Sequence, residues 1–118
     1  AYEIAQCLVG SEMGIRDRSC SVRAARASGH SITTLEGLQE EAAEFGGFIA
    51  DQGAEQCGFC NPGFIMNALA LFRENPYPSE EEVKEYLSGN LCRCSGYEGQ
   101  LRGIMNFLAW KKQKEAAE

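Results

Sequence analysis

The residues best suited to chemistry in this chain are thiols. Four of the six cysteines form two close pairs, Cys57-Gly-Phe-Cys60 and Cys92-Arg-Cys94, with 31 residues between them. If the pairs converge, four soft anionic donors surround one point, which suits a tetrahedral zinc ion or an iron–sulfur cluster. A lone CxxC would equally read as a redox dithiol or as two buried thiols, and the second pair at helical-hairpin distance argues against both. For zinc, the CxC half is the less usual one, and a chain that is 44% hydrophobic can bury a core without a metal staple. No Ser/His/Asp set, phosphate-cradling loop or carboxylate pair accompanies the thiols, so no catalytic residue is expected on this chain.

Convergence requires elements that bring residues 57–60 and 92–94 together, and the sequence around them reads as helices. Leu38, Ala42, Phe45 and Ile49 recur at helical spacing and predict a first amphipathic helix over about 35–51. Asn61 is a good N-cap and Pro62 suits a first helical position. Ile65, Ala68, Leu69 and Phe72 then line one face until Asn75-Pro76 stops the second helix. Ser79 with Glu82 predicts a capping box for a third helix carrying Val83, Tyr86 and Leu87. A fourth runs from about Gly99 with Leu101, Ile104, Met105 and Leu108 on one face, and lysines near its C-terminal end complement the dipole.

Four short helices with brief connections make a small bundle, and each cysteine pair precedes a helix. Helix N-termini offer unpaired N–H groups and a positive dipole end, which favour an anionic centre. A two-iron, two-sulfide cluster on four thiolates is such a centre, with a formal charge of roughly −2 oxidised and −3 reduced. Gly58, Gly63 and Gly96 would let backbone approach the sulfurs. Arg93, between two ligands, adds a cation that favours the reduced state.

Residues 1–34 differ in character, with a net charge of +1 against −7 for residues 35–118. Helical signals are weak there, and Ser31-Ile-Thr-Thr34 reads as a short strand. The expected fold is therefore mainly α: a four-helix bundle over 35–118 preceded by a short irregular or β arm over 1–34. The overall charge of −6 argues against binding nucleic acid or an anionic membrane surface. No apolar run approaches the roughly 20 residues that span a bilayer, and the segment from Ala1 to Cys7 shows no signal-peptide pattern. Free thiolates in pairs suit a reducing compartment, so a cytoplasmic location is expected.

The segments Gln56-Cys-Gly-Phe-Cys-Asn-Pro-Gly63 and Leu87-Ser-Gly-Asn-Leu-Cys-Arg-Cys-Ser-Gly-Tyr97 resemble the second iron–sulfur domain of the molybdenum hydroxylases. That family includes xanthine dehydrogenase, aldehyde oxidoreductase and carbon monoxide dehydrogenase of the molybdenum type. The resemblance covers about residues 31–110, including the link Ile32-Thr-Thr-Leu-Glu-Gly37. It implies one [2Fe-2S] cluster held by Cys57, Cys60, Cys92 and Cys94. It also implies a large partner subunit binding molybdopterin, with Gln56 approaching the pterin and Cys94 hydrogen-bonded to it. Electrons would pass from molybdenum through the pterin to this cluster, then to a ferredoxin-like cluster and usually to FAD on a flavin subunit. Neither Gln56 nor Cys94 has an evident mate within the sequence, and an unsatisfied amide beside a buried thiolate costs on the order of 1–3 kcal/mol. The implied role is an electron-transfer subunit whose active site lies on another chain. A zinc-stapled interaction module and a free-standing electron carrier are the alternatives.

The N-terminal part departs from the pattern. Cys7 and Cys20 resemble the last two ligands of a plant-type cluster, whose C-x₄-C-x₂-C run would then need a cysteine where Ile4 stands and another before Ala1. The expectation is a truncated or incomplete ferredoxin-like part, either with a separate ferredoxin-like chain supplying that function or with the beginning of the domain absent from this sequence, and two irons per chain in one centre. Cys7 and Cys20 then read as ordinary thiols, His30 as an exposed turn residue and Trp110 as core or interface filler. The Glu80–Glu85 run reads as a solvated helix face. Gln100 stands where an apolar residue is usual, so the start of the fourth helix is expected to face a partner rather than a core.

Overall fold

The computed structural model describes residues 8–10, 15–17, 23, 25, 28–29 and 32–118; Ile4, Cys7, Cys20 and His30 lie outside them. Three short strands, β1 Leu8–Gly10, β2 Ile15–Asp17 and β3 Ile32–Thr33, form an antiparallel sheet in the order β2-β1-β3. Val9 stands opposite Arg16 on one side and Thr33 on the other. Strands of two or three residues are short even by the standard of edge strands, so the arm is a small ribbon attached to a mainly α molecule.

Four α-helices follow: α1 Gln39–Asp51, α2 Asn61–Glu74, α3 Glu80–Tyr86 and α4 Glu98–Ala117. The mainly α, four-helix expectation is borne out. The predicted first helix begins as a 3₁₀ turn, Leu35–Leu38, before α1 proper. The second starts one residue earlier than the Asn-Pro signal implied, with Cys60 as the N-cap. The Cys60 carbonyl accepts the Phe64 N–H at 2.9 Å, and Pro62, which has no N–H to lose, fits inside the first turn. The capping box of α3 is formed in both directions: Glu82 N–H donates to Ser79 Oγ and Ser79 N–H to Glu82 Oε2, each at 3.3 Å. The acids of Glu80–Glu85 are exposed, as expected.

The core is built around Phe45, which is fully buried. Its ring lies 6.1 Å from that of Phe64, 5.5 Å from Phe72 and 5.2 Å from Phe107. Two predicted faces are corrected. Helix α2 buries Phe64 and every residue from Met66 to Phe72 rather than a single stripe, because α1, α3 and β2 all pack on it. Helix α4 buries Gly99, Gln100, Gly103, Ile104, Phe107 and Leu108, while Leu101 and Met105 are only half-buried. Its face is rotated because Gly103 marks the closest approach to α1, where a Cβ would lie 2.6 Å from Ile49 Cδ1. Trp110 is filler, packed on Phe48 and Phe107 with ring centroids 5.4 and 5.8 Å away.

Candidate metal centre

Each cysteine loop is shaped by local backbone chemistry and anchored to a helix. Where α1 ends, Gly53 takes φ +66° and the chain turns back, seating buried Ala54 against Gly99 of α4. Gly58, at φ +81°, bends the segment between Cys57 and Cys60, a left-handed conformation that costs glycine little. Its carbonyl accepts the Asn61 N–H at 3.4 Å, which joins the loop to the first turn of α2. Gly63 lies inside that turn and needs no such freedom.

The second loop is pinned from two sides. Asn67, buried in α2, donates its amide to the Tyr86 carbonyl at 3.4 Å and to Asn90 Oδ1. This fixes the turn that delivers Leu91 and Cys92. Beyond the cysteines, Gly96 and Tyr97 both adopt left-handed backbone, at φ +72° and +74°. For tyrosine that conformation is strained, and the Tyr97 hydroxyl, accepting the Cys92 N–H at 3.1 Å, closes the loop on itself.

The loops bring the four predicted thiols together as two interacting pairs, Cys57 with Cys94 and Cys60 with Cys92. Cys60 and Cys92 are half-buried, whereas Cys57 and Cys94 are exposed. Among the described residues, no three His, Cys, Asp or Glu side chains are gathered closely enough around one point for a single metal ion.

Donors converge on the inner pair. Ser95 offers its N–H to Cys92 Sγ at 3.4 Å, with its hydroxyl 3.2 Å away. Those bonds pull the Cys92 thiol down to about 7, while burial, reinforced by Cys92 beside it, pushes Cys60 up to about 11. Cys57 likewise raises Cys94. Gln100 Nε2 donates to Cys60 Sγ at 3.6 Å. The first turn of α2 carries no acid, so nothing there opposes an anion beside its N-terminus. Arg93 is exposed between Cys92 and Cys94.

Two sequence expectations change. Gln100 does not face outward: it is 4% exposed and sits within the bundle against Cys60. Helix rotation, invisible in the apolar pattern, puts it there. Gln56 is exposed rather than set beside a buried thiol, and its Nε2 reaches the Cys94 carbonyl at 3.5 Å. It therefore has a partner in its own chain and bridges the two cysteine loops. Asn67 and Ser95 support the site without standing out in the motif pattern; the signal for each is a polar residue placed among helix-core or ligand positions. The cysteine loops also carry exposed apolar side chains, Phe59 at 64% between Cys57 and Cys60 and Leu91 at 79% just before Cys92.

Residues 34–105 match the [2Fe-2S] binding domain, and the chain belongs to that family. It is 50% identical over 86 residues to a probable xanthine dehydrogenase subunit of Bacillus subtilis, covering 71% of this chain and 49% of that protein. With the nicotine 6-hydroxylase small subunit of Paenarthrobacter nicotinovorans it shares 44% identity over 94 residues, 79% of this chain and 57% of the relative. The chain thus spans about half the length of these curated relatives. The crystal structure of quinoline 2-oxidoreductase from Pseudomonas putida 86 superposes with a TM-score of 0.74 at 35% identity, covering 92% of this chain and 67% of that one. For the aldehyde oxidoreductase of Desulfovibrio gigas the TM-score is 0.76 at 33% identity, covering 95% and 13%. The resemblance drawn from the two cysteine motifs is borne out.

The residues present fit a [2Fe-2S] group. Such a core takes two thiolates on each iron, and the four sulfurs stand in two pairs with N–H and O–H donors directed at the inner pair.

Proposed function

We propose that this chain is an electron-transfer subunit of a molybdenum hydroxylase-type oxidoreductase, with Cys57, Cys60, Cys92 and Cys94 as ligands of one [2Fe-2S] cluster. When bound, the cluster supplies a one-electron store. The residues do the rest: α2 and α4 hold the two loops, Ser95 stabilises anionic sulfur, and Cys57 and Cys94 keep one side of the centre open. That open side carries the proposal, since two exposed thiols, with the exposed Phe59 in the loop between Cys57 and Cys60, form a surface that a partner would cover. On this reading the partner is a large subunit binding molybdopterin, with Gln56 and Cys94 facing the pterin. A flavin subunit and a ferredoxin-like chain would carry electrons onward. No described helix is long and apolar enough to cross a membrane, and the free thiols suit a reducing compartment.

Visible absorption, EPR of the reduced protein and iron analysis test the ligand set. Serine at any one of the four cysteines should bleach the spectrum and lose two irons per chain relative to the unaltered protein. A colourless, zinc-loaded protein would overturn the reading in favour of a structural staple. In the assembled complex, Gln56→Ala should leave the cluster spectrum intact and slow electron flow into it; unchanged flow would confine Gln56 to bridging its own loops.

A further inference from the structure

Besides Asn67, Gln100 is the buried polar side chain of the described core, and nothing in the packing of α4 calls for an amide at that position. It lines a cavity of about 330 Å³ whose other walls include Phe64, Val83, Leu87, Tyr97 and Leu101. A leucine would suit such surroundings. Burying an amide without a partner is costly, yet Gln100 Nε2 has one: Cys60 Sγ at 3.6 Å. The direction is fixed by chemistry, because an amide nitrogen can only donate and a thiolate can only accept.

Resting on the proposed cluster assignment, we infer that Gln100 sets the reduction potential of the centre, through an N–H···S bond to Cys60 delivered from the first turn of α4. The couple is a one-electron one. The added electron raises the negative charge on the sulfurs, so a donor at Cys60 stabilises the reduced form more than the oxidised form and raises the potential. Partial burial of Cys60 strengthens that preference. Ser95 acts the same way on Cys92, but its backbone N–H survives any side-chain substitution; Gln100 is the donor that mutation can remove cleanly.

The test is an EPR-monitored redox titration of the complete cluster-loaded chain within its complex, comparing wild type with Gln100→Leu and Gln100→Glu. Gln100→Leu should lower the reduced-to-oxidised ratio at fixed ambient potential on the order of tenfold, which is about 59 mV for a one-electron couple. Gln100→Glu, whose carboxyl is held protonated by burial beside anionic sulfur, keeps a donor at Cys60 and should leave the potential near that of wild type at neutral pH, with the iron content unchanged. If Gln100→Leu does not fold, Gln100→Met, unbranched and of similar length, carries the same expectation. Equal potentials in wild type and in a cluster-loaded Leu or Met variant would overturn the inference while leaving the cluster assignment standing. Absence of an iron–sulfur EPR signal in the wild type would instead overturn the assignment itself.

Discussion

Two glycine-to-alanine exchanges should shift stability in opposite directions although the added methyl group is equally free at both sites. Gly58 lies between Cys57 and Cys60 at φ +81°, and Gly47 lies in the middle of α1 with ordinary helical backbone. A Cβ at either position meets no atom within 4 Å, so packing drops out and the backbone decides. At Gly47 alanine removes the entropic penalty of a helix-interior glycine and should stabilise by about 0.5–1 kcal/mol. At Gly58 it must adopt left-handed backbone, at a cost of about 1–2 kcal/mol, only partly offset by a stiffer unfolded chain. With roughly 4–8 °C of melting shift per kcal/mol in a small domain, Gly47→Ala should melt a few degrees above wild type and Gly58→Ala a few below. Thermal melts by circular dichroism read the difference, and visible absorption of the same samples reports cluster retention. Gly58→Ala should also release the cluster sooner, since relief of its strain would turn Cys57 and Cys60 apart. Melting shifts of the same sign in both variants would refute the backbone account of this loop.

Other sites carry equally direct expectations. Gly103→Ala forces a methyl group to within 2.6 Å of Ile49 Cδ1 and 3.1 Å of the Phe48 carbonyl, so it should destabilise by about 1–3 kcal/mol through overpacking, read as a lowered denaturation midpoint. Ser79→Ala breaks the capping box of α3 and should cost about 0.5–2 kcal/mol, with hydrogen exchange accelerated in that helix. Asn67→Leu strips the Tyr86 carbonyl and Asn90 of their clamp. It should cost about 1–3 kcal/mol and lower cluster occupancy, because the turn it holds delivers Cys92.

What the sequence disclosed was local and what it concealed was tertiary. Cysteine pairs three and two residues apart, and a Ser–Glu capping box, are written within one turn of chain, and the capping box is found where its spacing implies. The start of α2 differs by one residue because Cys60 itself makes the first helical bond. A capping scale, which ranks Asn above Cys, has no knowledge of that contact. The rotation of α4 is the larger lesson. Leu101, Ile104, Met105 and Leu108 form a proper apolar stripe, yet the helix turns to bring Gly99 and Gly103 against α1. Glycine registers as a gap in a hydrophobic pattern, although the missing side chain is what permits the nearest approach of two helices. That rotation carries Gln100 inward, and no reading of a single helix could have placed it.

The same rotation explains why the four sulfurs are not equivalent. Because α4 leans on α1 through its glycines, its first turn reaches under the loop of Cys60, and Gln100 meets that sulfur from inside. Ser95, one turn of chain earlier, serves Cys92 from the same side. Cys57 and Cys94 are the exposed pair, with the Gln56 amide tying their loops together. Donors that stabilise added negative charge thus lie toward the core, and accessible sulfur lies toward the surface. For the proposed cluster, holding an electron and passing it to another chain would set conflicting demands on any one thiolate: burial shields the charge and also lengthens the path to a partner. On the proposed assignment, dividing them between an inner and an outer pair would let one short bundle meet both, with the inner pair governing how readily the electron is held and the outer pair setting where it enters or leaves.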